Sequence, residues 1–312
     1  MSVPSGLILL NKKPGVTSFD ALGEIKRALG TGKVGHTGTL DKFAQGLLVV
    51  LTGRALRLSK WFSDCDKQYL GKICFGMETD TLDPEGSVIA KAEVPARKQV
   101  EQVLGQFTGN ILQAPPAYSA IHIDGKRASE LARAGKAPEM KKRPVTVYSL
   151  ELQSWTPPFA EIFVHCSSGT YIRSLAKDIA LAAGSRAHLV ELARIRVSGF
   201  GLVSGDQGAE NIEENLTFGR AQSPVTGPWT LIPVNKAVIK TLGIPWFELE
   251  VSDAEKIIHG KPLAPILDGK LLEGAAPVAA LDYSAAVFVG ETLLGIVEKT
   301  GHEWKYGCVL SS

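Results

Sequence analysis

Hydrophobic and polar residues occur along the chain in blocks whose periodicity predicts short strands and helices. Residues 7–10 and the apolar run at 47–51 are predicted strands, and the second is expected to be buried. Between them, apolar residues recur at helical spacing over about 19–29, and Ser18 is placed to cap that helix. Alternation over 68–75 predicts a strand with a tyrosine on one face.

The rest of the chain continues this mixture and ends in a β-rich part. Strands are predicted near 145–152 and 160–166, followed by a Ser/Gly turn and a helix with an apolar stripe at Ile172, Leu175, Ala176 and Ile179. Residues 203–233 are rich in Gly, Pro, Asn and acidic side chains and are predicted to be irregular. From about 246, a predicted helix over 252–259 precedes strand-like runs at 278–281, 286–289, 293–297 and 306–310.

Length and composition favour a globular protein of two domains. The chain has 312 residues, of which 45% are hydrophobic and 21% charged, and single cores stop growing near ~250–300 residues. We therefore expect an α+β fold with a large domain over 1–245 and a small β-rich domain over 246–312. The N-terminus has no basic region or long apolar run typical of a signal peptide, and the four cysteines form no C-x-x-C pair. These features favour a cytoplasmic protein with reduced cysteines.

Charge is balanced over the whole chain but concentrated in one segment. Lys and Arg total 34 against 32 Asp and Glu, so the net charge of +2 gives only weak support for a polyanionic partner. A basic segment at about 124–143, however, is crowded with positive side chains, at Lys126, Arg127, Arg133, Lys136, Lys141, Lys142 and Arg143. Such a segment is typical either of a solvated surface loop or of a nucleic-acid contact.

The most informative motif is a Gly-rich loop that ends in a carboxylate, Gly35-His36-Thr37-Gly38-Thr39-Leu40-Asp41. A single acid presented by glycines ahead of a buried strand suits nucleophilic attack on a large substrate. Aspartate in such a place also commonly caps a turn, so the loop alone leaves both interpretations open.

Other apparent motifs are incomplete. Residues 30–33 are similar to a phosphate-binding loop, but Val34 stands where Ser or Thr must follow, which excludes an NTPase. Ser174 and Lys177 imitate part of a serine acyl-transfer motif, whose third element fails at Ala254. The histidines and cysteines show no metal-ligand spacing, so no metal site is predicted.

Six further motifs follow one another in a characteristic order. They are LLNKKPGVTS at 9–18, KQY at 67–69, GMETDTLDPEG at 76–86, PPAYSAI at 115–121, DGKR at 124–127 and SGTYIRSL at 168–175. Together with the loop ending at Asp41, this ordered set resembles the TruB family of pseudouridine synthases over nearly the whole chain. The chain departs from the family at Lys42, where proline is common, and at Ala128 and Ser129, which affects RNA contacts more than the chemistry.

The resemblance implies a pseudouridine-synthase fold, with a central mixed, largely antiparallel sheet flanked by helices and a small PUA-like RNA-binding domain at the C-terminus. It implies a monomeric isomerase that converts uridine 55 in the T-loop of tRNA to pseudouridine, without guide RNA, obligate protein partner or cofactor. Asp41 corresponds to the nucleophile, which attacks either ribose C1′ or uracil C6. Arg173 would pair with this carboxylate and keep it ionised, and Tyr69 would stack on the base and accept the C5 proton.

The resemblance also assigns residues that bind the RNA. His36 would support the opened T-loop, and Tyr171 and Leu192 would line the uridine pocket. Independently of the resemblance, the helical pattern predicts that Tyr171 and Arg173 lie off the buried stripe of their helix. The predicted RNA contacts are Lys12, Lys126, Arg127, Arg133, Lys141, Lys142 and Arg143. Two alternatives remain: a non-catalytic RNA-binding or tRNA-folding protein on the same scaffold, and a serine acyl hydrolase that uses Ser174 and Lys177.

Overall fold

The structure is a computed structural model of the chain that describes residues 3–123, 125–136, 138–202, 229–274 and 282–310. Most of the predicted irregular connection at 203–233 and the predicted strand at 278–281 lie outside these ranges. Asp124, the first residue of the basic segment, also lies outside them.

Strands make up most of the regular structure in the described ranges. In chain order they are β1 (Gly6–Lys12), β2 (Val34–His36), β3 (Gln45–Thr52), β4 (Lys67–Phe75), β5 (Met77–Thr79), β6 (Val88–Lys91), β7 (Gly109–Gln113), β8 (His122–Ile123), β9 (Lys126–Arg127), β10 (Arg143–Thr156), β11 (Phe159–Cys166), β12 (Ala187–Val197), β13 (Phe200–Gly201), β14 (Trp246–Glu248), β15 (Asp282–Val289), β16 (Thr292–Thr300) and β17 (Glu303–Val309). The helices are α1 (Gly23–Ala28), α2 (Ser59–Ser63), α3 (Arg97–Leu104), α4 (Ala128–Arg133), α5 (Ile172–Ala182), α6 (Lys236–Thr241), α7 (Val251–Ile258) and α8 (Ala264–Leu267).

The first predicted helix is shorter than expected. Only α1 is α-helical, and a 3-10 turn at Asp20–Leu22 precedes it. Ser18 does not cap this helix, because its hydroxyl donates to the Leu40 carbonyl and accepts from the Leu40 amide, both at 2.9 Å. Ser18 therefore holds the loop that leads to Asp41 instead of a helix end.

One large sheet forms the centre of the molecule. Among the described residues it has nine strands in the main order β1-β3-β12-β4-β11-β10-β7, with β2 on β3 and β13 on β12. Neighbouring strands are antiparallel except β3 and β12, which run parallel. At this parallel pair Gly46 has a φ of +101°, and a Cβ there would lie 2.3 Å from the Arg194 carbonyl oxygen. Only glycine lets β3 approach β12 this closely.

Helix α5 packs on the side of the sheet that carries Tyr69 of β4. The predicted apolar stripe of α5 is buried in one core with Tyr69 and Leu192, which confirms the predicted stripe. Burial of a large aliphatic side chain contributes ~1.5–3 kcal/mol, so several such residues anchor a short helix firmly. The first turn of α5, which carries Arg173, is thereby fixed against the sheet.

A second sheet of order β14-β15-β16-β17 forms near the C-terminus. Its Phe288 and Ile296 share a hydrophobic core with Phe62 of α2. Polar contacts reinforce this packing: Trp61 Nε1 donates to Ser284 Oγ at 3.0 Å. Lys60 Nζ pairs with Glu298 at 2.8 Å, and Arg54 and Arg57 donate to the carbonyls of Leu310 and Val309. The second sheet is therefore docked on α2 and the turn before it, while the domain boundary at 245/246 stays a prediction.

Candidate active site

The loop that carries Asp41 lies between β2 and β3, which pair with each other. The N-terminal segment holds the residues on both sides of Asp41. Ser18 binds Leu40 as described above, and the Gly15 amide donates to the Lys42 carbonyl at 2.8 Å. The backbone position of Asp41 is therefore set by residues far from it in the sequence.

Lys12 does not lie where an RNA contact was expected. Its side chain is 1% exposed, and its Nζ donates to backbone carbonyls at 2.6 to 3.3 Å, those of Lys13, Val16 and Lys42. Burial lowers the pKa of this ammonium to about 8, against the opposing effect of Asp41. A buried ammonium with these partners is not available to a phosphate. We therefore correct the prediction and assign Lys12 to the support of the Asp41 loop.

The structure brings Asp41 and Arg173 into direct contact. Arg173 Nη2 donates to Asp41 Oδ1 at 2.9 Å, and Arg173 Nε lies 2.8 Å from Oδ2 in a second, less well aligned contact. The Arg173 side chain is 4% exposed, whereas that of Asp41 is 34% exposed. Arg173 was expected to lie off the buried stripe of its helix, and this expectation was wrong. Because its guanidinium is fully enclosed, the only solvent-accessible member of the pair is the carboxylate.

Arg173 has further partners that sequence reasoning missed. Its Nη1 donates to the Thr81 carbonyl at 2.7 Å and lies 3.4 Å from Asp83 Oδ2. Its Nη2 also donates to the Tyr118 carbonyl at 3.0 Å. Thr81 and Asp83 lie in the motif at 76–86 and Tyr118 in the motif at 115–121, but nothing in those motifs indicates a shared guanidinium. These contacts lock Arg173 in one orientation.

The ionisation of Asp41 reflects opposing influences. Burial raises the pKa of its carboxyl above the ordinary value, the Arg173 guanidinium lowers it, and the negative charge of Asp83 raises it again. The net pKa is raised. Arg173 thus offsets part of the cost of burying the carboxylate, and the residual rise makes Asp41 a stronger base than an exposed aspartate.

Tyr69 and Leu192 form the floor beside this ion pair. They share one hydrophobic core with Leu40 and Ile172, the sequence neighbours of Asp41 and Arg173. Tyr69 of β4 is paired in register with Arg194 of β12, and Gly71 with Leu192, so the side chains of these pairs share one face of the sheet. Tyr69 is 7% exposed and Leu192 is 6% exposed. Burial raises the pKa of the Tyr69 phenol, which therefore stays protonated near neutral pH. The floor offers an aromatic ring and an aliphatic side chain to a planar base.

Tyr171 lies immediately before α5 and is held through its backbone. The Gln113 side chain donates to the Tyr171 carbonyl at 3.1 Å and accepts from its amide at 2.8 Å. The ring is half-buried, and burial raises the pKa of its phenol. A small cleft beside it is lined by Gln113, Ser168, Tyr171 and Arg143. The end of the basic segment therefore reaches the wall of the site.

His36 lies in β2, at the entrance to the loop. It is half-buried, and its Nδ1 has no hydrogen-bond partner in the described part of the chain. Burial lowers the pKa of its ring, and the charges of Arg194 and Lys26 lower it further. His36 is therefore neutral near pH 7, which suits a ring that stacks against bases more than one that binds a phosphate.

The side chains of the basic segment are exposed to solvent. Lys126 and Arg127 form β9, Arg133 ends α4, and Lys141, Lys142 and Arg143 lead into β10. None of these six pairs with a carboxylate within the described ranges. Their charges are thus free to contact an anionic ligand.

The serine hydrolase alternative does not fit the structure. Ser174 is 1% exposed, and its hydroxyl donates to the Ala114 carbonyl at 2.8 Å. Lys177 contacts Asp178 at 3.9 Å. A buried hydroxyl that is already committed to a carbonyl cannot attack a substrate.

The described residues include no grouping of three or more His, Cys, Asp or Glu side chains able to hold a metal ion. None of the helices in the ranges given above is both long and apolar enough to cross a membrane. All four cysteines are free, and burial raises the pKa of Cys65 and Cys166 to about 11. These thiols therefore stay protonated and unreactive at neutral pH.

Comparison with known proteins identifies the family. Residues 26–172 match the model of the TruB family pseudouridylate synthase N-terminal domain. The tRNA pseudouridine synthase B of Borreliella burgdorferi (strain ZS7) is 45% identical over 201 residues, which is 64% of this chain and 71% of that protein. That of Aquifex aeolicus (strain VF5) is 39% identical over 259 residues, 82% of this chain and 86% of the relative. The chain belongs to the TruB family. It is accordingly a pseudouridine synthase, and a purely non-catalytic role is not favoured.

Solved structures agree with the TruB assignment at the level of the fold. The crystal structure of a Cbf5-Nop10-Gar1 complex contains a chain that matches with a TM-score of 0.67 at 22% identity, covering 98% of this chain and 85% of that one. The archaeal box H/ACA Nop10-Cbf5 complex matches with a TM-score of 0.66 at 21% identity, over 99% and 87%. This likeness and the strand order confirm the predicted α+β fold with a central mixed sheet.

Proposed function

We propose that the protein converts uridine 55 in the T-loop of tRNA to pseudouridine, with Asp41 as the nucleophile. The observation that carries this proposal is the partly exposed Asp41 carboxylate held by a fully enclosed arginine, next to a floor of Tyr69 and Leu192. The tRNA pseudouridine synthase B relatives support tRNA as the substrate. The position within the tRNA follows from the family resemblance of the motifs.

The reaction breaks the bond between ribose C1′ and uracil N1, turns the base and joins C1′ to C5. The proton lost from C5 is balanced by one gained at N1, so the base keeps its composition and the protein needs a nucleophile, a confined pocket and a proton acceptor but no cofactor. Asp41 attacks either C1′, where it displaces N1 and is later displaced by C5, or C6, where its bond breaks again once C1′ is joined to C5. Arg173 keeps the carboxylate oriented and stabilises its charged form.

Tyr69 is proposed to hold the base by stacking and to receive the C5 proton late in the reaction. Its raised pKa means that the free protein carries a neutral phenol. Tyr69 can therefore accept the C5 proton only after it has given its own proton to N1, the atom that has lost its bond to C1′. In this proposal Leu192 completes the floor of the pocket and Tyr171 forms a wall.

The uridine must leave its stack before Asp41 can reach it, at a cost of a few kcal/mol. We assign His36 to the opened loop, because its neutral, half-buried ring stands at the entrance to the Asp41 loop. The exposed basic segment would grip the phosphate backbone, and the C-terminal sheet would add RNA contacts. The protein would act alone, as a monomer in the cytoplasm.

The decisive experiment replaces Asp41 with Asn and measures pseudouridine formed in an unmodified tRNA transcript under single-turnover conditions. We expect the rate to fall by at least about 10³-fold, as for loss of a nucleophile. The Kd for the transcript should stay within about threefold, because Asp41 contributes chemistry and not phosphate contacts. Turnover at the original rate would show that Asp41 is not the nucleophile.

A further inference from the structure

Arg194 is a buried cation that takes no part in the mechanism proposed above. Arg194 is 2% exposed, and its guanidinium makes no ion pair with a carboxylate among the residues that the structure describes. A buried charge without a counter-charge is costly and is retained only where its hydrogen bonds are well satisfied. Its partners therefore indicate what it does.

The guanidinium of Arg194 connects the strand core to the Asp41 loop. Nε donates to the Leu47 carbonyl of β3 at 2.7 Å, and Nη2 donates to the Gly38 carbonyl at 2.9 Å. Gly38 lies three residues before Asp41, in the middle of the loop. The planar fork of an arginine can hold two carbonyls in one geometry, which a lysine cannot do.

The other end of this connection is the floor of the site. Arg194 is the register partner of Tyr69 across β12 and β4, so both side chains lie on the same face of the sheet. The positive charge of Arg194 also lowers the pKa of Tyr69 against the effect of burial, and it lowers the pKa of His36. One side chain is thus within electrostatic reach of both the stacking residue and the loop histidine.

We propose that Arg194 is a positioning residue that sets the distance between the Asp41 loop and the Tyr69 floor by clamping the Gly38 carbonyl to β12. This inference rests on the proposed function, because it assumes that Asp41 and Tyr69 act on the same uridine. A misplacement of about 1 Å in such a geometry costs about 10²-fold in rate. Loss of the clamp should therefore lower the rate of chemistry and leave RNA binding unchanged.

Two variants test the clamp from its two sides. Arg194→Lys keeps the charge but loses the fork, and we expect a loss of about 10²-fold in single-turnover rate. Gly38→Ala leaves Arg194 in place, but its Cβ would lie 3.3 Å from Arg194 Nη1 and displace it slightly. For this smaller shift we expect a loss of about 10-fold. Gly38 has an ordinary φ, so the alanine adds no backbone strain and the variant should fold.

Gly32→Ala is the matched control for the glycine substitution. Gly32 lies in the preceding turn, is exposed, and has no atom within 4 Å of a built Cβ. We expect its rate to stay within about twofold of the original, since surface changes away from special features have small effects.

The double variant Gly38→Ala/Arg194→Lys distinguishes a clamp from two independent effects. If both substitutions break the same contact, the double variant should lose about 10²-fold and not the product of about 10³-fold. A clash between the Gly38→Ala methyl and the RNA would instead multiply the losses and raise the Kd. Multiplied losses, a loss confined to Kd, or rates equal to those of Gly32→Ala would each overturn the proposal.

Failure of the inference can be told apart from failure of the proposed function. An inactive Asp41→Asn variant together with a fully active Arg194→Lys variant would overturn only the role of Arg194. If Arg194→Lys does not fold, as judged by thermal unfolding, the comparison of Gly38→Ala with Gly32→Ala still decides the question. An active Asp41→Asn variant would instead overturn the nucleophile on which both proposals depend.

Discussion

The pocket around Asp41 and the basic segment both contain several positively charged side chains, which are buried in the pocket and exposed in the basic segment. In the pocket, Arg173, Arg194 and Lys12 are almost fully enclosed and their donors are used by carbonyls or carboxylates. In the basic segment the side chains are exposed and make no ion pair with any carboxylate in the described ranges. Chemistry needs one geometry, which burial and fixed partners provide, whereas phosphate binding needs charges that are free to find a flexible ligand.

The pocket and the basic segment also differ in the cost of keeping their groups ionised. Buried ionisable groups in the pocket have displaced pKa values: raised for Asp41 and Tyr69, lowered for Lys12 and His36. Each displacement means that one protonation state is held at a cost to stability. Such costs are typical of functional sites. We expect substitutions in the pocket to change rate and stability, and substitutions in the basic segment to change affinity and its salt dependence.

The largest effect is expected where the pocket loses its central arginine. Arg173→Met should lower the single-turnover rate by at least about 10³-fold, because Asp41 loses both its orientation and its counter-charge. It should also destabilise the fold by about 2–3 kcal/mol, less than for a fully buried pair because Asp41 is partly exposed. Chemical denaturation and the rate on a tRNA transcript measure the two losses.

Arg97→Gln is the control for Arg173→Met. Arg97 pairs with Glu101 at 2.7 Å across one turn of α3, and both side chains are exposed, so its loss should cost less than about 1 kcal/mol and little rate. Equal effects of the two substitutions would remove the distinction between the pocket and the surface.

An intermediate effect is expected in the basic segment. Replacing Lys141, Lys142 and Arg143 with alanine should flatten the dependence of log K on log salt by about 2, as three phosphate contacts are lost. The rate at saturating RNA should fall by no more than about threefold, since none of the three contacts Asp41 or Arg173 and only Arg143 lines the cleft beside Tyr171. Filter binding at several salt concentrations measures the slope.

A triple alanine variant at Lys91, Arg97 and Lys98 provides a charge-matched control. These residues are exposed and lie in or near β6 and α3, outside the basic segment. An equal change of slope in both triple variants would mean that net charge, and not this segment, governs RNA binding. An unchanged slope in the first variant would remove the segment from the RNA interface.

The smallest effect concerns pH. The reactive form of Asp41 is the carboxylate, and its raised pKa places the loss of activity on acidification at a higher pH than for an ordinary aspartate. Asp83 contributes to that rise, so Asp83→Asn should shift the acid limb of the rate profile to lower pH. Glu85→Gln, which removes an exposed carboxylate paired with Lys42, should leave the limb in place. A limb that moves to higher pH in Asp83→Asn would contradict the assignment.

Several features of the site were predictable because the residues concerned lie within short sequence motifs. Asp41, Tyr69 and Arg173 come from three separate motifs, and the structure places Arg173 against Asp41 and Tyr69 on the floor beside them. The apolar stripe of α5 follows from periodicity alone, and the strand around 47–51 follows from an unbroken apolar run. Periodicity succeeds here because burial of one face repeats over many residues.

Other residues were misjudged or missed because their partners are distant in the sequence. Ser18 has the character of a helix cap, and Lys12 that of a phosphate contact, yet both hold the Asp41 loop. The sequence assigned no functional role to Asp83 or Arg194. In the structure Asp83 contacts Arg173, and Arg194 donates to the Gly38 carbonyl. The residue type shows which groups a side chain can bond, but it does not show which groups the fold brings within reach.

The sequence by itself determined the class of fold, the family and the residue types available for chemistry, since these depend on local spacing and ordered motifs. Only the tertiary structure decided which charges are enclosed and which remain free. The physical reason is that burial and hydrogen-bond partnership are properties of contacts between segments as far apart as Gly38 and Arg194. The same type of side chain thus supports the loop at Lys12 and is exposed to solvent at Lys126, where we propose a contact with RNA.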